Sequence, residues 1–248
     1  MDLSALLITA ITCYLIGSIS FSRLLTHFLK PGTELQDIEL QVVGIEQSYK
    51  ITSIGGNTVS MKLGPRVGCL ASILDALKVF LPTLILFLLF PRQFYFLVAA
   101  LAGFIGHCWP IYYRFKGGRG VSAFYGGLFA FDPIGALVVS LIGILLGITL
   151  FRKVKMLNIL AMYTGGVLLV IPWMWLTKNS LLYLIYALLI NILFIMAMLP
   201  DIKQIIQILR EHGWRNVDVG MDQFPMGQSM SKMTARINQI FRKQTKGE

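Results

Sequence analysis

Between residues 106 and 121 the chain reads Gly-His-Cys-Trp-Pro-Ile-Tyr-Tyr-Arg-Phe-Lys-Gly-Gly-Arg-Gly-Val. This places His107, three cations (Arg114, Lys116, Arg119) and three glycines (Gly117, Gly118, Gly120) in one short stretch. Glycine lets backbone N–H groups come close to a ligand, and cations beside them complete a receptor for an oxyanion, phosphate above all. His107 adds a group that titrates near neutrality and can move a proton. The same residues admit a plainer role: a tight loop whose cations only orient the chain in a membrane, and a histidine that packs.

A second set of similar character lies upstream, where Ser53, Gly55, Gly56, Asn57, Thr58 and Lys62 fall within ten positions. Together they suit a phosphate cradle; a Gly-Gly-Asn by itself is equally a turn. Asp75 and Lys78 stand three apart, on one face of a helix, and intramembrane charges of opposite sign usually pair. Cys13, Cys69 and Cys108 have no paired spacing, so neither a disulfide framework nor a zinc site is expected. No cluster of metal-ligating residues appears in the sequence, and no cofactor is expected.

The elements that must position these residues are dictated by composition. Of 248 residues, 56% are hydrophobic and 14% charged, with a mean hydropathy of +0.70. Soluble domains carry roughly 25% charged residues, so the pattern is that of an integral membrane protein. Seven apolar segments fall at about 3–29, 67–90, 94–110, 120–131, 134–151, 157–176 and 181–199. A helix needs about 20 residues to cross the hydrocarbon core. Segment 120–131, closed by Asp132 and Pro133, is too short, which draws the loop before it below the membrane surface. Backbone that is not helical survives there only inside protein or beside a wet cavity.

Lysine and arginine set the orientation. With the N-terminus outside, Arg23, Lys30, Lys50, Lys62, Arg66, Arg114, Lys116, Arg119, Arg152, Lys153 and Lys155 fall on the inner side, and only Arg92 and Lys178 on the outer. The expected fold is therefore all-α: a polytopic membrane helical bundle of about seven segments, N-terminus outside and C-terminus cytoplasmic. Residues 1–200 form the membrane domain. Residues 201–248 form a basic amphipathic cytoplasmic tail, with apolar positions at Ile202, Ile205, Ile206 and Leu209, and again at Met233, Ile237, Ile240 and Phe241. Both stretches suit helices lying on an anionic membrane surface. The net charge of +10 is then explained by the bilayer, without nucleic acid. Met1 and Asp2 precede the first segment with no basic n-region, so no cleaved signal peptide is expected.

Taken in order, Gly17-Ser18-Ile19, then Gly55-Gly56-Asn57-Thr58 with Leu63-Gly64, then Leu74-Asp75-Ala76-Leu77-Lys78, then the stretch from Gly106-His107 to Gly120-Val121, resemble the bacterial acyl-phosphate:glycerol-3-phosphate acyltransferases over roughly residues 10–200. Gly-His-x-x-Pro followed by Phe-Lys-Gly-Gly-Arg-Gly-Val is the specific part. The resemblance implies a seven-span bundle with a groove facing the cytoplasm in a bacterial inner membrane. It also implies transfer of an acyl group from acyl phosphate to the 1-hydroxyl of glycerol 3-phosphate, giving lysophosphatidic acid for phospholipid synthesis. His107 and Arg119 become the catalytic candidates. Ser53, Gly55, Gly56, Asn57, Thr58, Lys62, Lys116, Gly117, Gly118 and Gly120 become the phosphate-binding ones.

Within its motifs the chain departs from the family pattern in three places; the loop before the glycine-asparagine motif is also longer and more acidic, and the tail longer. The glycine-asparagine motif is shortened, with Met61 where the family has arginine and Lys62 one residue on. Arg119 replaces a lysine and keeps its charge. After the last segment, Arg-His-x-x-Asn-Ile gives way to Ala197-Met198-Leu199-Pro200-Asp201-Ile202. Two other readings stay open: a divergent paralogue that takes another acceptor or binds acyl phosphate or lipid without turnover, and a small anion or lipid transporter. The absence of internal symmetry in the sequence speaks against the transporter.

Overall fold

The computed structural model describes residues 2–36, 38–43, 48–150, 165–213 and 218–219. It is mostly helical. Four apolar stretches, Leu3–Leu29, Pro65–Leu89, Tyr95–Tyr113 and Leu181–His212, are long enough to cross a membrane, and Val121–Phe131, Pro133–Leu146 and Gly165–Lys178 are shorter apolar helices. Their outer faces carry the signature of lipid contact: Leu3, Ile8, Leu88, Leu176 and Leu181 are each exposed by more than half. In water such faces would cost stability; in hydrocarbon they are neutral.

The first stretch is broken. Helix α1 (Leu3–Gly17) stops at Ser18, and α2 (Phe21–Leu29) restarts from Ser20, whose side chain accepts from the Arg23 amide. A short helix α3 (Gly56–Leu63) leads through Gly64, at φ 96°, into the long α4 (Pro65–Leu89), with proline at the first turn. Then follow α5 (Tyr95–Cys108), a single 3₁₀ turn (Ile111–Tyr113), α6 (Val121–Phe131) and α7 (Pro133–Leu150). The last two helices are α8 (Val170–Lys178) and α9 (Leu181–His212). At about 1.5 Å per residue the 11-residue α6 spans only about 16 Å, roughly half of a hydrocarbon core.

Small residues let the helix backbones approach. An added Cβ on Gly17 would strike the backbone of Gly103, and one on Gly106 would strike that of Tyr14, which locks α1 against α5. Gly126 meets Ala76 in the same way and seats α6 on α4. The main core fills the space between these and the last helices with Phe96, Phe104, Phe124, Phe131, Tyr186 and Phe194. Buried Asp132 closes the opposite end of the bundle: it caps the Gly135 amide at 3.0 Å and accepts from Trp173 Nε1 at 2.8 Å, with Lys178 Nζ at 3.2 Å.

Two expectations need correction. The fold is not purely helical, because strands β1 (Ile38–Val43), β2 (Ser48–Ile51) and β3 (Asp218–Val219) pair antiparallel in the order β2-β1-β3. In β1, Ile38 and Leu40 are buried and Glu39 between them is exposed, the period-2 pattern of a strand with one covered face. Residues 202–212 do not form a separate surface helix; they continue α9 without a break past Pro200, and Ile205, Ile208 and Leu209 are buried. The second amphipathic stretch, 233–241, lies outside the described residues.

Candidate active site

The floor of the site is the break between α1 and α2. Stopping a helix inside a membrane leaves backbone groups without their ladder partners, and each must find another. Lys78 Nζ donates to the Ile19 carbonyl at 2.5 Å and to Asp75 at 2.8 Å. Asp75 in turn accepts from Ser22 Oγ at 3.2 Å and from the Phe21 amide at 3.4 Å. The ion pair expected from the i, i+3 spacing is therefore present, and it repairs the helix break. Asp75 is 1% exposed and Lys78 7%. His107, 8% exposed, has its Nδ1 3.9 Å from the same Asp75 oxygen, beyond hydrogen-bond reach.

Above this floor the chain folds back on itself. After α5 the backbone turns through Arg114 (φ 52°) and Phe115 (φ 60°), two residues in the left-handed region that side chains disfavour. The fold is held by the Phe115 amide on the Pro110 carbonyl (3.0 Å), the Lys116 amide on Tyr113 (3.1 Å) and the Gly118 amide on His107 (3.1 Å). The glycines are required by this close approach. An added Cβ on Gly117 would strike the His107 carbonyl and Pro110, and one on Gly118 would strike the His107 ring. Gly120 caps α6 at φ 84°, where a Cβ would strike Phe104. The His107 side chain thus lies behind Gly118. Arg23 Nη2 donates to the Lys116 carbonyl at 3.0 Å, its guanidinium 4.6 Å above the Tyr113 ring.

A cavity of about 320 Å³ opens in front of the loop. Lys116, Gly117, Gly118 and Arg119 line one side, with Cys108 and Thr52, and Met196, Ala197 and Pro200 of α9 face them. The second glycine set reaches the loop through one backbone bond, from the Ile54 amide to the Gly117 carbonyl at 3.0 Å. Ser53 and Gly55 flank that bond. The rest of the set serves α3 itself. The Thr58 hydroxyl donates to the Ser53 carbonyl at 2.9 Å and accepts from the Gly55 amide at 3.2 Å, closing the first turn. Gly56 packs against Gly68 and Ser72 of α4. Asn57 and Lys62 are exposed on α3 and do not line the cavity.

Two residues that hold Arg119, namely Asp201 and Thr52, were not anticipated from the sequence. Arg119 Nε donates to Asp201 Oδ2 at 2.5 Å and Nη2 to Oδ1 at 2.8 Å, a two-pronged ion pair, and Nη2 also reaches Thr52 Oγ1 at 3.0 Å. Burial first, then the Asp201 charge, pushes the nearby Tyr49 phenol above its ordinary value. The signal for Asp201 was legible: a lone carboxylate directly after an apolar segment, on the same side as the cationic loop.

Comparison with known proteins converges on one family. A family profile described as glycerol-3-phosphate acyltransferase matches residues 7–208. The glycerol-3-phosphate acyltransferase of Mycoplasma capricolum subsp. capricolum is 30% identical over 188 residues, covering 73% of this chain and 66% of that one. That of Mycoplasma mycoides subsp. mycoides SC is 30% identical over 175 residues, covering 68% and 61%. The chain thus spans slightly less than two thirds of these two relatives. Among solved structures, the chain is similar to PlsY (YgiH), an integral membrane glycerol 3-phosphate acyltransferase. For the glycerol 3-phosphate form the TM-score is 0.63 at 28% identity, covering 82% of this chain and 92% of that one. For the lysophosphatidic acid form it is 0.64 at 26% identity, with the same coverage.

Proposed function

Since this chain belongs to the glycerol-3-phosphate acyltransferase family, we propose that it transfers an acyl group from an acyl phosphate to the 1-hydroxyl of glycerol 3-phosphate, forming lysophosphatidic acid. The observation that carries this reading is the cavity itself. A cationic glycine loop, joined by a backbone bond to a second glycine segment, borders a volume of about 320 Å³ beside apolar α9 residues. Such a site suits a ligand with a phosphate at one end and an acyl chain at the other.

The chemistry asks little of the protein beyond placement. An acyl phosphate is a mixed anhydride, so the acceptor hydroxyl can attack its carbonyl directly, without an enzyme nucleophile. The new ester C–O bond forms as the acyl–phosphate C–O bond breaks; inorganic phosphate leaves with that electron pair and takes up the proton of the acceptor hydroxyl. Lys116 and Arg119, with the N–H groups of the glycine loop, hold the phosphates and offset the charge that builds on the leaving group. His107, behind Gly118, keeps the loop in place; it is a positioning residue. Neither a metal nor a cofactor enters the proposed step.

The setting we infer is a bacterial inner membrane crossed seven times, with the N-terminus outside and the cavity opening to the cytoplasm. The distribution of lysine and arginine supports this orientation. Residues 201–248 are assigned to the cytoplasmic side, where the basic tail meets anionic lipid.

The test is an assay of the purified chain in detergent with long-chain acyl phosphate and labelled glycerol 3-phosphate. The expected result is labelled lysophosphatidic acid, made from acyl phosphate and not from the matching acyl-coenzyme A. One observation favours the second reading, binding without turnover: Arg119 is already engaged by Asp201. That reading predicts saturable acyl-phosphate binding and no labelled product in the same assay.

A further inference from the structure

The Arg119–Asp201 pair has a consequence for how the cavity accepts an anion. A guanidinium presents a planar fork that fits a carboxylate and a phosphate in the same two-pronged way. In this chain the Nε/Nη2 edge of that fork is filled by the protein's own carboxylate, at 2.5 and 2.8 Å. Both side chains are largely enclosed, 18% and 7% exposed, so solvent does little to loosen them. Arg119 nevertheless lines the cavity together with Lys116, Gly117 and Gly118.

Asp201 is also a mechanical link. It belongs to α9, and one turn further along the same helix Gln204 brackets Lys50 of β2, accepting from its amide at 3.0 Å and donating to its carbonyl at 3.1 Å. Thr52, just past β2, holds the Arg119 guanidinium at 3.0 Å. The end of the last apolar helix and the residue just past the small sheet therefore meet at the guanidinium of the glycine loop's Arg119.

We propose that Asp201 is an internal competitor for Arg119 of the cavity wall: an incoming phosphate takes the Arg119 fork by exchange with Asp201, so that Asp201 sets the cavity's affinity for its anionic ligand and phosphate binding releases the end of α9 from β2. This rests on the acyltransferase reading only for the identity of the ligand. The competition itself concerns any phosphate monoester. Neutralising Asp201 removes the competitor while leaving Arg119 its charge. Phosphate then binds more tightly. A carboxylate that only positioned Arg119 would act in the opposite direction, because losing it would let the arginine wander.

The experiment measures binding of inorganic phosphate and of hexadecyl phosphate to the full chain in detergent, by titration calorimetry. Asp201→Asn is expected to bind both at least about tenfold more tightly than wild type, the scale of one charge-assisted hydrogen bond. Adding Arg119→Ala should abolish binding, the gain included. Should Asp201→Asn not yield folded protein, Asp201→Ser removes the same charge and carries the same expectation. In wild type, saturating hexadecyl phosphate should raise amide hydrogen exchange in residues 204–212. Equal or weaker phosphate binding after either neutral substitution overturns the proposal, as does unchanged or slower exchange in that segment. If wild type makes lysophosphatidic acid while these signs fail, the exchange is wrong and the acyltransferase reading stands. If wild type neither binds phosphate nor turns over, both fall.

Discussion

Removing Asp75 tests whether the buried ion pair exists to mend the helix break. In Asp75→Ala, Lys78 loses the partner at 2.8 Å, while the Phe21 amide and the Ser22 hydroxyl lose their acceptor. Lys78 stays enclosed, held only by the Ile19 carbonyl. Breaking one side of such a buried pair costs about 3–5 kcal/mol, because an uncompensated charge remains. Lys78→Met strands the carboxylate in the same way and also frees the Ile19 carbonyl, so its cost is of the same order. The double change, Asp75→Asn with Lys78→Met, behaves differently. Both charges go together, and the asparagine still bonds both neighbours: its oxygen accepts from the Phe21 amide, and its amide N–H donates to the Ser22 hydroxyl oxygen in place of the acceptor that Oδ2 supplied. Only the Ile19 carbonyl is left without a donor, which costs about 1–3 kcal/mol. The two positions are therefore strongly non-additive, as groups sharing one network should be. Thermal unfolding of the detergent-solubilised protein reads this directly. At about 2–4 °C per kcal/mol for a chain of this size, each single change lowers Tm by about 6–20 °C, and the double change recovers much of that. A double variant no more stable than either single would refute the account. So would single variants that keep wild-type stability while losing turnover, which would move the pair into the chemistry.

Three further outcomes follow from the site. Arg119→Ala should abolish acyl-phosphate binding, whereas Arg119→Lys, which keeps the charge but not the fork, should weaken it by no more than about tenfold; titration with a non-reacting alkyl phosphate distinguishes them. His107→Ala should lower Tm and leave turnover per folded molecule within a few-fold of wild type. A drop of about 10²–10⁴ in turnover at unchanged Tm would make it a general acid–base group instead. Gly118→Ala should drive a methyl group into the His107 ring, destabilising the protein by about 1–3 kcal/mol; phosphate binding should fall with it, and equilibrium binding beside a melting curve checks both.

The membrane class, the seven apolar segments and the residues of the cationic glycine loop are legible in the sequence because each is a local property. Hydropathy is a sum over neighbours in the chain, and Gly117, Gly118 and Gly120 declare by type alone that a backbone must pass close to something. The Asp75–Lys78 pairing was equally readable, since three residues along a helix is a fixed distance. The β1–β2 hairpin carried its period-2 pattern in Ile38 and Leu40, but six residues in a polar loop form too short a signal to stand beside seven hydrophobic segments. What only the tertiary structure decided is which distant groups meet. Arg119 and Asp201 are 82 positions apart, and Lys50 and Gln204 are 154 apart. No spacing rule connects such residues, because their separation depends on how α9 packs against the rest of the bundle. The same packing divided the candidate residues, leaving Lys116 and Arg119 at the cavity, His107 behind it and Lys62 away on α3. A sequence names the groups able to hold a phosphate; helix packing selects the ones that face it.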